Sequence, residues 1–128
     1  MAALVVSQKG VRLANTHNVL TRTRPLAATL LVGECVEMDA SGNWIKADGT
    51  GYSFGVVIGI TDGKLTGGVG DDAEVLMFGV LAGFTVAPGA LITVNASGQF
   101  DDAAGAGIQQ MAVGMDNNLL LVRPDLLA

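Results

Sequence analysis

The chain is poor in the residues that most catalytic and metal centres use. Its 128 residues include one histidine, His17, and one cysteine, Cys35. One cysteine excludes an intrachain disulfide. One histidine, with no base or nucleophile beside it in the sequence, argues against a Ser-His-Asp triad or a histidine-ligated metal. Cys35 sits in an apolar stretch, where a free thiol behaves as a small hydrophobe. The six aromatic residues (Trp44, Tyr52, Phe54, Phe78, Phe84 and Phe100) are scattered along the chain. They offer no platform on which sugars or bases could stack. No acidic residue precedes Glu34. No stretch reaches the roughly 20 apolar residues of a membrane helix. The most apolar run, Leu26 to Val36, is interrupted by Gly33 and Glu34. The Met1-Ala2-Ala3-Leu4 start lacks the basic segment and apolar core of a secretory signal, so synthesis and use in a cytoplasm are expected.

What is abundant points to β structure. Glycine occurs 18 times, hydrophobic residues make up 50% of the chain, and β-branched residues fall in short runs between glycines. The length fits one domain with a core of its own. One stretch is written twice. Gly33-Glu34-Cys35-Val36-Glu37-Met38-Asp39-Ala40-Ser41-Gly42-Asn43-Trp44 matches Gly89-Ala90-Leu91-Ile92-Thr93-Val94-Asn95-Ala96-Ser97-Gly98-Gln99-Phe100 position by position. Gly49 then aligns with Gly105 and Gly51 with Gly107, and one deleted residue brings Val57-Ile58-Gly59 near Ala112-Val113-Gly114. Each copy reads as a strand, an Asp/Asn-Ala-Ser-Gly turn and a return strand carrying an inward aromatic residue. Asp, Asn and Ser bond the backbone two residues on, and Gly accepts positive φ. Two copies suit one pseudo-symmetric domain better than a solenoid. The expected fold is all-β: a small β-barrel or sandwich with similar units at residues 33–60 and 89–116.

The charges are segregated. Residues 1–32 carry +4 and residues 33–128 carry −9, giving the net −5 of the whole chain. The reading is an extended basic arm over residues 1–25, closed by Arg24-Pro25, on an acidic β domain of residues 26–128. The arm lacks the dense basic cluster and aromatic platform of a nucleic-acid site, so a solvated or partner-docked arm is expected. In the body, Gly59 predicts a bulge or a close backbone approach in an apolar strand running from Phe54 to Thr61. Asp62 to Asp72 reads as a mobile exposed loop. Met111 to Met115 and Leu119 to Val122 read as a hairpin joined by Asp116-Asn117-Asn118.

No motif carries chemistry. Asp71-Asp72 and Asp101-Asp102 are acid pairs in glycine-rich loops, where carboxylates are usually solvated. Asp39, Ser41 and Asn43 place oxygens at alternate positions but lack the later acid that closes a calcium loop. Asn95-Ala96-Ser97 has the letters of a glycosylation sequon with no sign of secretion. The flanks of Lys46 and Lys64 do not match lipoyl or biotinyl carrier motifs. No enzyme activity, cofactor, metal or membrane partner is expected.

The pattern Gly-(Asp/Glu)-x-Val-x-x-Asp-Ala-Ser-Gly-x-aromatic followed by Gly-Val-x-x-Gly, here Gly33 to Trp44 and Gly55 to Gly59, resembles the small head decoration (cement) proteins of tailed bacteriophages. Ala87-Pro88-Gly89 before Leu91-Ile92-Thr93-Val94 fits the same habit. The resemblance spans about residues 30–123 and departs at Ala90, where an acid is usual. It implies a structural virion protein made in the host cytoplasm. Such a protein sits on the outer capsid surface and clamps neighbouring major capsid protein subunits as a homotrimer or dimer. Leu4, Val5, Val6, Val19 and Leu20 could then add a strand to a coat sheet edge, while Arg12, Arg22 and Arg24 pair with coat acids. A phage tail-tube or connector subunit, or a small β module that binds sugar or peptide, stand as alternatives.

Overall fold

The computed structural model describes residues 3–6, 10–15, 17–103, 107 and 109–125. Short β-branched runs separated by glycine favour strands, and among the described residues the structure is nearly all β, with 49% in strands. In chain order the strands are β1 (Val5–Val6), β2 (Arg12–Leu13), β3 (Leu20–Pro25), β4 (Leu30–Leu31), β5 (Cys35–Met38), β6 (Trp44–Lys46) and β7 (Gly55–Ile60). They continue as β8 (Thr66–Gly67), β9 (Asp72–Ala82), β10 (Phe84–Thr85), β11 (Leu91–Val94), β12 (Phe100–Asp101), β13 (Gln110–Gly114) and β14 (Leu120–Val122). Among the described residues, one sheet runs in the order β12-β11-β13-β14-β9-β7-β5-β6, with β2 and β3 also paired to β9. It curls into a half-barrel.

The repeated sequence builds a repeated structure. Met38 faces Trp44 across β5 and β6 as Val94 faces Phe100 across β11 and β12. Asp39 Oδ1 accepts the Ser41 and Asn43 N–H groups at 2.9 Å each, and Asn95 Oδ1 accepts those of Ser97 and Gln99 at 2.9 and 3.0 Å. Gly42 and Gly98 close the two turns at φ +80° and +75°, a region open to glycine at little cost. The match of the return strands is corrected. Gly33 N–H donates to Val57 O and Gly89 N–H to Gly114 O, each at 2.8 Å. Val57 therefore corresponds to Gly114, so the second copy has one residue more than the first. A register shift between Val57 and Gly59 supplies the expected bulge. Small residues at 101–107 gave the sequence no landmark for the insertion.

β9 joins the halves. Its residues Ala73 to Leu76 pair with β7 of the first unit, and Gly79 to Leu81 with β14 beyond the second. Two clusters of buried side chains follow this division. Val36, Trp44, Val57, Ala73 and Val75 belong to the smaller, and Ile92, Val94, Phe100, Met111, Leu120 and Val122 to the larger. Trp44 Nε1 donates to Ala73 O at 3.1 Å, so the indole N–H is not stranded in the core. Gln109 bridges the units. Its side chain accepts from Ser53 N at 2.6 Å and donates to Ser53 O at 2.9 Å and Asp125 O at 2.8 Å.

Two local expectations meet different surroundings. The 62–72 loop is tied down: β8 pairs with β4, Lys64 Nζ meets Asp71 Oδ1 at 2.8 Å, and Thr61 Oγ1 exchanges hydrogen bonds with the Asp72 backbone. Between β3 and β4 the chain makes a bridge at Leu26 and then a bend. Asp101 is buried on β12, where it accepts from Asn95 Nδ2 at 3.0 Å and Ala103 N at 2.8 Å. The hairpin of β13 and β14 forms as read, with Asn117 and Asn118 at φ near +58° supplying its turn. The Gly105 match and the 126–128 tail lie outside the described residues.

Candidate interaction surface

The basic segment lies on the body. Alternating polar and apolar residues suit it to a strand, and β9 offers an edge along its full length. β3 pairs with Asp72 to Phe78 and β2 with Leu81 and Ala82. Between them Asn15 caps the ladder, its Oδ1 accepting from Val80 N at 3.0 Å. β1 forms a separate pair with β10, and Leu4 N donates to Phe100 O at 2.9 Å. Glycine makes room for the crossing. A Cβ on Gly83, which stands at φ +114°, would lie 2.3 Å from Gly10 O and 2.5 Å from Val11 Cα.

The eight arm residues divide by environment. Leu4 and Val19 pack partly against the larger cluster. Val5, Val6 and Leu20 are exposed, and Leu20 stands directly across from exposed Phe78. Arg12 is exposed, with Nη1 on Gly10 O at 3.1 Å. Arg22 is exposed on β3. Arg24 is committed to the body: its Nε donates to Gly42 O at 2.9 Å and its Nη2 to Asn43 Oδ1 at 3.5 Å, across the turn of the first copy. Among the described residues before 26, no side chain is fully buried. The segment is therefore held mainly by main-chain pairing.

A groove of about 230 Å³ opens beside β1, lined mainly by Leu4, Val6, Leu31, Phe84, Phe100 and Glu34. Phe84 and Phe100 meet edge to face in its wall, with centroids 5.3 Å apart. Buried Glu34 accepts from Leu31 N at 2.8 Å and pairs with Lys46 Nζ at 3.2 Å. That satisfies the charge, as a buried carboxylate requires. Sequence reading missed this groove because its residues come from four separate stretches.

The other perturbed groups are structural. Burial, with Glu34 nearby as a lesser cause, pushes the Cys35 thiol far up and leaves it an unreactive apolar side chain. The Thr50 hydroxyl and N–H, helped by Glu37, hold Asp48 down at about 2. Burial raises Glu37, whose carboxylate accepts the Asp48 N–H at 3.2 Å. His17 is exposed, and its carbonyl accepts from Asn15 Nδ2 at 2.6 Å. Among the described residues no three His, Cys, Asp or Glu side chains gather as a metal site would need. No described helix is long and apolar enough to cross a membrane. The arrangement presents strands, a shallow apolar groove and separated charge, which are means of recognition. No family model, curated protein or solved structure matches the chain.

Proposed function

We propose that this chain is a structural subunit of a tailed-bacteriophage head. It binds the outer surface of the shell and clamps neighbouring major capsid protein subunits. The observation that carries the reading is the basic, apolar segment before residue 26, paired through its main chain to an acidic β body while Val5, Val6, Leu20 and Arg22 stay exposed. An extended segment of this kind can add to a partner's sheet edge, where main-chain bonds supply affinity and side chains supply choice. Several linked copies multiply a modest interface without new contacts. Arg24 and Leu4, already engaged on the body, position the segment, and Val5, Val6, Arg12, Leu20 and Arg22 meet the coat.

The test is incubation with expanded, undecorated heads of the encoding phage, followed by sedimentation and imaging. Saturable binding at fixed lattice positions is expected, weakened by added salt and by Arg22→Ala. Failure to bind, with the protein forming rings or tubes by itself, would favour a tail or connector subunit instead.

A further inference from the structure

The outer face of the main sheet carries a knob beside a hollow. Leu91 is 62% exposed, the most open large apolar side chain of that sheet. It stands directly across from Val113 on β13, and Val113 from Leu121 on β14. Paired residues of an antiparallel sheet point to one face, so the three form a continuous apolar row. Their chain neighbours Ile92, Ala112 and Leu120 belong to the other face and are buried in the larger cluster. Val113 and Leu121 also line a hollow of about 120 Å³, rimmed by Gln110, Arg123 and Asp125. The rim thus carries one charge of each sign.

The molecule already shows one occupant for a face of this kind. Cys35 and Val56, which correspond in the first unit to Leu91 and Val113, are fully buried in the cluster that holds the second unit's core. A face built from this repeat therefore packs on another β unit of the same sequence. The polar groups suit a second copy as well. A two-fold axis along β13 lays Val113 on Val113 and Gln110 on Gln110. An amide both donates and accepts, so Gln110 can bond its own copy. The same axis carries Leu91, on one side of β13, over the partner's hollow beside Leu121 on the other. It sets Arg123 over neutral Thr93, which pairs with Gln110. An axis along β14 would instead oppose Arg123 to Arg123. Because the sheet curls around its core, its outer side is convex and meets a copy along a line of strands, as a contact centred on one strand requires.

We infer that two copies of this chain pack through the outer faces of β11, β13 and β14, each seating Leu91 in the other's hollow beside Val113 and Leu121. The contact is isologous, so it closes at the dimer. None of the residues that meet the coat under the shell reading is used. That reading needs linked copies and this contact supplies them, but the contact stands on the sheet face alone.

Sedimentation velocity of the full chain tests this, with circular dichroism and melting as checks on the fold. The wild type is expected to associate reversibly and to stop at the dimer. Gln110 is exposed, and on the axis it meets itself. Gln110→Glu and Gln110→Lys each set like charges together and are expected to raise the dissociation constant at least about tenfold. An equimolar mixture of the two is expected to recover association as a mixed dimer, because unlike charges then meet. Leu91→Ser, a surface change in the monomer, is expected to weaken association by a similar factor. Leu65→Ser and Val69→Ser remove side chains that are more exposed, at 75% and 82%, but lie in the 62–72 loop, and should leave association unchanged. A wild type still monomeric at about 0.5 mM, growth past the dimer, or a Leu91→Ser variant that associates normally would overturn the inference. A charge mixture that fails to recover, or an equal loss in the loop variants, would do the same. So would a monomeric wild type whose binding to undecorated heads is lost in Leu91→Ser, which would give the face to the coat. Dimers that bind no heads would sink the shell role and leave this contact standing. Head binding by a chain that stays monomeric would do the reverse.

Discussion

The two copies of the β unit share a turn and a front face but not a back. Val36 and Trp44 in the first, and Ile92 and Phe100 in the second, are all buried in front. Behind them the copies part. Cys35, Ala47 and Val56 of the first copy are fully buried against the larger cluster, which holds the second copy's own core. Their counterparts are exposed Leu91 and half-buried Ala103 and Val113. Backbone contacts mark the same asymmetry: Cys35 N donates to Gly98 O at 2.7 Å, and a Cβ on Gly98 would meet Lys46 Cγ at 2.6 Å and Ala47 O at 2.9 Å. The back of copy one therefore rests on the front of copy two. A duplicated sequence fixes local shape, whereas burial is assigned by the neighbour each copy receives.

The comparison can be broken first at the aromatic pair. Trp44→Ala and Phe100→Ala are each expected to cost about 3–5 kcal/mol in urea unfolding, with Trp44 the larger because it also loses its bond to Ala73 O. Equal costs would mean the indole bond is worth nothing net. The turn glycines sharpen the contrast. Gly42→Ala is expected to cost about 1 kcal/mol from its positive φ, and Gly98→Ala roughly 2–4 kcal/mol because the second copy's turn is pressed against the first. The back faces come next. Cys35→Leu, which gives the first copy the second copy's residue, is expected to overpack by about 1–3 kcal/mol. The exposed equivalent, Leu91→Ser, should stay within about 0.5 kcal/mol. A smaller effect of opposite sign is expected at Thr93, the counterpart of Glu37. Its Oγ1 is buried with no hydrogen-bond partner among the described residues, so Thr93→Val should be neutral or stabilise by up to ~1 kcal/mol.

The smallest effect concerns pH. Asp48 has a lowered folded pKa, so its contribution is present above the usual carboxylate range and is lost as pH falls towards about 2. Raised Glu37 has the opposite sign, contributing at low pH and losing that contribution as pH rises through its folded value. Asp48→Asn should flatten the fall in melting temperature between about pH 4 and pH 2, followed by differential scanning calorimetry. An unchanged slope would show that the Thr50 contacts do not persist in solution.

Local chemistry was legible and distant pairing was not. Asp39 and Asn95, with Gly42 and Gly98, announce their turns because the bonds they make span four residues or fewer. The inward aromatics and the Asn117-Asn118 hairpin follow from the same short range. Sequence could read the first 25 residues as extended and basic. It could not say that β9 would receive them, because that choice depends on which edge remains open once β7 and β14 have paired. Glu34, Asp101 and Gln109 look like surface residues in the chain. They are buried because remote groups satisfy them: Lys46 for Glu34, and the Ser53 and Asp125 backbone for Gln109. The groove and the exposed Phe78, Leu65 and Val69 were hidden for a related reason, since exposure of an apolar side chain is decided by what fails to cover it.

The shared central strand also sets a timetable for synthesis. The C-terminal half of β9 is complete once Ala82 is made, yet its β14 partner ends at Val122, some forty residues later. At a translation rate of roughly 5–20 residues per second, that half waits about 2–8 seconds with one edge bare. An open apolar edge invites pairing between nascent chains. Crowded polysomes should therefore yield more insoluble product than sparse ones, and a premature stop anywhere between Ala82 and Leu120 should leave a sticky fragment in place of a half-folded subunit.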